Sequence, residues 1–276
     1  MICEHMADTL HGGYRELMQP DWTAAHGGSG GGDRKSLDVH MHMMESLTTY
    51  YELSRHPSHR RRLEECIELI LQRMLRVENG TGYMQFSMGF EPLPAILFDS
   101  VWGRDKPPEG STARPIEFTS YGHNVELAWL LKHAAGVLGA GRTLYAEVLR
   151  KIADHTIQFG LDTEHGGVYV EGPSGGPATC TEKQFWQQAE VMVGMLDAYS
   201  DFGEEKYWSA FRSVYDFVFS KFVRMEAGGE WFERVDRRGH PVDDSLGHAW
   251  KISYHTVRSM IQILSRLRHI EAAVSG

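Results

Sequence analysis

The chain has 276 residues, 42% hydrophobic and 24% charged, with a formal net charge of −9 and a pI near 5.9. That length and composition suit one large globular domain with a sizeable core, and the acidic balance argues against nucleic acid or an anionic membrane as partner, since both need clustered Lys and Arg. Three widely spaced cysteines (Cys3, Cys66, Cys180) make neither a disulfide framework nor a zinc pattern, no apolar run approaches the roughly 20 residues of a membrane span, and MICEHMADTLHGG does not read as a signal peptide, so a cytoplasmic setting is expected.

Apolar periodicity predicts helices at about 37–55, 59–77, 122–138, 142–160, 183–201, 205–224 and 250–271. In the second, Leu63, Ile67, Ile70, Leu71 and Met74 recur mainly at spacings of three and four. The basic run His59-Arg60-Arg61-Arg62 opens that helix and is diluted by Glu64 and Glu65, which marks a solvated face. Glycines punctuate the ends: Gly80 and Gly82, Gly139 and Gly141, Gly203.

The helices pair through short loops, and long Gly-rich linkers separate the pairs. The linkers begin alike: DTLHGGYREL at 8–17, ENGTGYMQFS at 78–87, DTEHGGVYVE at 162–171 and EAGGEWFERV at 226–235. Each leads to a helix with a polar start: DVHMHMMES, YGHNVELAW, FWQQAEVMV and WKISYHTVRS. This is an internal repeat of roughly 65–80 residues. Gly-Gly before an aromatic suits a tight hairpin with positive φ.

On the post-linker helices polar residues pair at spacings that share one face: His42 with Glu45, His123 with Glu126, Trp186 with Glu190, and His255 with Arg258. Each pair falls in the first two turns. Helices stacked around an axis would bring the pairs to one rim, where helix N-termini favour developing negative charge. A lone histidine at a helix start is ordinarily a cap or a packing residue, but histidines at matching places in three repeats predict a shared pocket. Trp186, beside Phe185, Gln187 and Gln188, suits a platform for a sugar ring, and Trp129 and Trp250 sit similarly. His40, two residues from His42, points elsewhere and is expected to be structural or to stand behind the site. His5, His11, His26, His59 and His269 are expected at the surface. No HExxH motif, clustered Cys/His set, P-loop, dinucleotide fingerprint or GxSxG elbow is present, so neither metal nor cofactor is expected.

The segments SLDVHMHMMESLTTYYE, TSYGHNVELAWLL, FWQQAEVMVGML and WKISYHTVRSM, with the D-x-x-x-G-G linkers, resemble in order and spacing the signatures of the N-acylglucosamine 2-epimerase superfamily. The likeness is greatest to cellobiose 2-epimerases and runs from about residue 8 to 268. It implies an all-α (α/α)6 barrel of six inner and six outer helices with a pocket at one end. Here that means a single partial barrel domain over 1–276, an incomplete toroid of about seven helices with hairpin linkers. The resemblance places catalytic histidines on His42, His123 and His255. It places substrate-binding residues on Asp38, Glu126, Trp129, Trp186, Glu190 and Arg258, with Asp38 replacing the family's asparagine. About five amino-terminal helices of the family have no counterpart, including an arginine and aromatic sugar contacts. The chain given is therefore expected to have little activity alone and to self-associate through exposed apolar helix faces.

Inverting a sugar at C2 requires ring opening, removal of the proton α to the aldehyde, and return of a proton on the other face. Histidine titrates near neutral pH and can perform either half. Arg258 and helix ends can stabilise an enediolate oxygen. The expectation is a cofactor-free sugar 2-epimerase in which His255 and His123 carry the acid–base work, His42 assists, and Glu126 and Glu190 orient histidines or hold hydroxyls. The rival readings are an aldose–ketose isomerase of the same superfamily, a glycoside hydrolase with Glu126 and Glu190 flanking the bond, and an inactive or protein-binding relative.

Overall fold

The computed structural model describes residues 2–98, 113–248 and 250–275. Its α-helices are α1 (Ile2–His5), α2 (Leu37–Ser54), α3 (Pro57–Leu69), α4 (Tyr121–Leu138), α5 (Ala146–His155), α6 (Phe185–Phe202), α7 (Glu205–Phe217) and α8 (Tyr254–Ser275). Apart from the single turn of α1, these are the seven helices that the apolar periodicity predicts. The last starts at Tyr254 rather than near 250, so Trp250 precedes it. The second helix of each pair closes in a π-turn: Ile70–Met74 after α3, Thr156–Gly160 after α5 and Val218–Phe222 after α7.

Local chemistry sets the helix ends. The Ser36 hydroxyl caps α2 by accepting from the Val39 N–H at 3.1 Å. Pro57 opens α3, where its missing N–H costs nothing. Gly203 ends α6 in the left-handed region at φ 66°.

The linkers repeat in structure as well as in sequence. Each opens with an antiparallel pairing that closes a short loop: Ala7 with Tyr14, Leu75 with Gly82, Leu161 with Val168, and Val223 with Trp231. In the first and third, the D-x-x-x-G-G motif acquires a physical meaning. Asp8 Oδ1 accepts from the N–H groups of Leu10 and His11, and Asp162 Oδ1 accepts from those of Glu164 and His165. The second oxygen of each takes a fully buried lysine, Lys35 at 2.9 Å and Lys183 at 3.0 Å. Burial pushes both carboxyls up. Bonds from Lys35 to Asp8, and from Arg237 and Lys183 to Asp162, outweigh it and hold both well below the usual carboxylate range. Gly13 is required by space as well as by its φ of 72°, because a Cβ there would lie 2.4 Å from His40 Nε2.

The chain forms two compact units. The first comprises Met1–Thr119 with His133–Gly141, and the second Ser120–Lys132 with Arg142–Gly276. In the first unit α2 packs on α3. The strands Arg34–Ser36, Gln85–Ser87 and Pro92–Leu93 form an antiparallel sheet, with Ser36 opposite Gln85, that delivers the chain into α2. In the second unit α6 is the central helix, buried at Phe185 and continuously from Gln187 to Ala198, with α7 and α8 packed against it. The first part of α4 lies so close to α6 that a Cβ on Gly194 would sit 2.2 Å from Val125 Cγ1, and one on Gly122 would sit 2.4 Å from Gln187 Cγ. The strands Lys183–Gln184, Arg234–Val235 and Pro241–Asp243 make the antiparallel sheet from which α6 departs.

Candidate active site

The strand that precedes a helix fixes which way its first side chains point. At the fourth helical position stand His40 in α2, Asn124 in α4 and Gln188 in α6. His40 Nε2 accepts from the Tyr14 N–H at 3.0 Å, and its Nδ1 lies 2.8 Å from the Ser36 carbonyl. Gln188 does the same work one repeat later: its Oε1 accepts from the Val168 N–H at 2.8 Å and its Nε2 donates to the Gln184 carbonyl at 3.2 Å. Burial pushes His40 down to about 4, so it is a neutral structural hydrogen-bonder, as expected from its offset.

The other histidines come from different places in this register. His255 is the second residue of its helix, in line with Asp38 and Trp186. His123 is the third. His42 is the sixth, in line with Glu126 and Glu190. The matching repeat positions expected for the three histidines are therefore not matching in helical register.

In the second unit the structure brings together His123, Glu126, Trp129, Trp186, Glu190, His255 and Arg258. Glu190, fully buried, is the hub. Its Oε1 accepts from Arg258 Nη2 at 2.7 Å, His255 Nδ1 at 2.8 Å and Ser259 Oγ at 3.3 Å, and its Oε2 accepts from Trp129 Nε1 at 2.9 Å. Arg258 Nη2 also bonds Glu126 Oε1, and its Nη1 bonds the Tyr254 hydroxyl. The guanidinium carbon lies 4.1 Å from the Tyr254 ring centroid and 4.9 Å from that of Trp129. Burial pushes the Glu190 carboxyl up, but the His255 hydrogen bond and the Arg258 charge outweigh it and hold it below its ordinary value, so it stays ionised.

These contacts separate the residues by task. The side chains of Glu126 and Glu190 have no exposed surface, and Trp129 is buried. His255 and Arg258 are 16% and 14% exposed and, like the half-buried His123 and Trp186, can be reached by a small molecule. A carboxylate only accepts, so Nδ1 of His255 carries a proton and Nε2 is left as the atom that exchanges one. Trp186 lies against both histidine rings, with centroids 4.6 Å from His123 and 5.3 Å from His255, and its Nε1 donates to Gln184 Oε1 at 3.1 Å. A cleft of about 360 Å³ adjoins the cluster, lined by Tyr254, Val257, Arg258 and Ile261 among others.

Asp38 and His42 belong to the first unit, on α2 with Glu45. Trp250 is exposed and outside α8. His5, His11, His26 and His269 are exposed, and His59 is half-buried against Tyr50. Sequence reasoning missed Ser259 and Tyr254. Ser259 is the sixth residue of α8, in line with Glu126 and Glu190, a signal that exists only once the start of α8 is known. Among the described residues one acidic-histidine group has metal-binding spacing: Glu126, Glu190 and His255 offer atoms within 4.8 Å of one another. Arg258 already supplies positive charge to both carboxylates there.

The fold is the all-α, helix-hairpin class of the (α/α)6-barrel enzymes. It is shared with the cellobiose 2-epimerase of Bacillus thermoamylovorans B4167 at a TM-score of 0.80 and 21% identity, over 96% of this chain and 63% of that one. The profile of the N-acylglucosamine 2-epimerase (GlcNAc 2-epimerase) family matches residues 1–259, and the chain belongs to that family. Among curated relatives it is 28% identical over 271 residues to a cellobiose 2-epimerase of Bacteroides fragilis, and 21% identical over 263 residues to a D-mannose isomerase of Marinomonas mediterranea. Each alignment covers 95% of this chain and 62% of the relative, so the chain spans less than two thirds of their length.

Proposed function

We propose that the protein is a sugar 2-epimerase acting through an enediolate. The substrate class is that of its relatives, an aldose such as cellobiose or an N-acylglucosamine. The observation that carries this reading is the Glu190–His255–Arg258 arrangement. A buried carboxylate fixes the tautomer of an accessible imidazole, and a guanidinium one helical turn on, held by the same carboxylate, supplies charge for the oxyanion that forms when that imidazole removes the proton at C2. His123, on the same tryptophan, is the second acid–base group, and His42 assists. Proton transfer of this kind requires no cofactor. Glu126 and Glu190 act as anchors, and Trp186 presents the flat apolar surface that a sugar ring packs on.

A second reading, an aldose–ketose isomerase, has the support of the D-mannose isomerase similarity. It uses the same deprotonation and returns the proton at C1. A hydrolase would need two carboxylates flanking a glycosidic bond, whereas Glu126 and Glu190 are buried and share one guanidinium nitrogen.

Two further features belong to this reading. No helix among the described residues is long and apolar enough to cross a membrane, and Cys66 and Cys180 are free thiols, which suits a reducing cytoplasm. Val257, Ile261 and Leu264 form an exposed apolar row on α8 through which the protein self-associates.

In a chain completed at its amino terminus to the length of its relatives, His123→Ala and His255→Ala should each lower turnover at least about a hundredfold, the usual scale for a general acid or base, with helical circular dichroism unchanged. Wild-type rates in either variant would refute the assignment. Product analysis from one aldose separates the two enzymatic readings: an epimeric aldose for the first, a ketose for the second.

A further inference from the structure

Three ionisable residues in the first half of α2 make a cluster of their own. His42 Nε2 lies 3.3 Å from Asp38 Oδ1, and its Nδ1 lies 3.1 Å from Glu45 Oε2. Both ring nitrogens thus face carboxylate oxygens, which only accept hydrogen bonds. A neutral imidazole has one N–H and one lone pair, so it would set a lone pair against an oxygen at one of these contacts. Nδ1 hydrogen-bonds Glu45 and Nε2 approaches Asp38 at ion-pair distance, and two carboxylates this close favour the doubly protonated ring. We infer that Asp38 and Glu45 are positioning residues that hold His42 as an imidazolium in the resting protein.

Among the described residues the surroundings act in the same direction. The positive end of α2 disfavours a cation, but that effect decays within the first turn, and His42 is the sixth residue of the helix. From the first linker, Glu16 approaches Ser36 and Asp38 with a carboxyl that burial pushes up to about 7. It is neutral in mild acid and anionic above that pH, so it adds negative charge where His42 would otherwise lose its proton. The cations of the preceding strand are committed elsewhere: Lys35 to Asp8 and the Met88 carbonyl, Arg34 to Gln85 and the Pro94 carbonyl. On α3, Arg60 pairs with Glu64 beside Tyr51, and His133 meets Glu52, both toward the far end of α2.

The inference deepens the proposed reaction by dividing its histidines, and in that respect rests on it. His255, with its Nδ1 on a carboxylate, keeps Nε2 for exchange. His42, held between two carboxylates, has no lone pair with which to act as a base. Asp38 is the longer contact and the more exposed partner, so it holds the charge less firmly than Glu45.

The test is nitrogen NMR of the protein labelled at histidine ring nitrogens, with His42 assigned by its loss in His42→Gln. At pH 7.5 both His42 nitrogens should carry imidazolium shifts. Glu45→Gln should lower the imidazolium fraction about twofold or more, and Asp38→Asn should lower it by less. A lone-pair nitrogen signal from His42 in the wild-type protein, or no change in either variant, would overturn the inference. The readout is the charge on one ring, so its outcome is separate from whether the protein turns over a sugar.

Discussion

Glu190 accepts from Trp129, His255, Arg258 and Ser259, and a carboxylate so satisfied can remain ionised in a buried place. Replacing it by glutamine keeps the volume but removes the charge and sets an amide N–H₂ among donors. Glu190→Gln should therefore destabilise the fold by about 3 kcal/mol, read from thermal melts, and in a chain completed at its amino terminus should lower turnover about a hundredfold or more, read from single-turnover kinetics. Glu16 offers the converse case. One of its carboxyl oxygens is buried without a hydrogen-bond partner, and burial raises the group from 4.5 to about 7. A carboxyl raised on folding contributes stability below its unfolded value and loses it as pH rises through the folded value. Glu16→Gln should thus gain on the wild type between pH 4.5 and 7, reaching on the order of 1–3 kcal/mol at pH 8. Parallel melts at pH 5 and pH 8 measure it, and equal differences at the two would contradict it. Of the site, the residue types and their pairing at three and four were legible in the sequence, because a shared helix face needs only spacing. The register was not, because it depends on where each helix starts to within one residue. Ser259 and Tyr254 were invisible for that reason, and so was the kinship of His40 with Gln188.

The seven long helices were readable from apolar periodicity alone, since each buries one stripe or, in α6, nearly all of its surface. The π-turns that close α3, α5 and α7 were not, because a shift from i→i+4 to i→i+5 bonding leaves no mark on composition. The D-x-x-x-G-G motif was visible as a turn, but its lysine partners lie 27 and 21 residues away, beyond any local pattern. Lys183→Met should cost about 3 kcal/mol by leaving Asp162 short of a buried partner. Asp8 and Asp162 are held low on folding, so their contribution is present above the ordinary aspartate value of 3.8 and is lost as pH falls toward their folded values. Acid titration of the variant followed by circular dichroism should show a shallower loss than wild type. The close passage of α4 and α6 makes a separate prediction. Gly194→Ala places a methyl 2.2 Å from Val125 Cγ1 and should destabilise by about 1–3 kcal/mol. Gly194→Ala combined with Val125→Ala should recover part of that in a denaturant titration.

At the scale of the molecule, a four-fold linker pattern and a family profile over residues 1–259 agree on one architecture, and the acidic charge argues against a polyanion as ligand. The apolar row on α8 predicts association. Ile261→Asp should lower the mass seen by sedimentation at high protein concentration, and an unchanged mass would assign that row another role. The central claim is that His255, fixed by Glu190 and flanked by Arg258, moves the proton at C2 of an aldose. Incubating the chain, completed at its amino terminus to the length of its relatives, in D₂O with cellobiose, N-acetylglucosamine or mannose tests it most directly. The account predicts deuterium at C2 of the recovered and epimerised sugar, at a rate that His255→Ala reduces about a hundredfold or more. Cleavage of a glycosidic bond, or epimerised product that keeps its original hydrogen at C2, would contradict it.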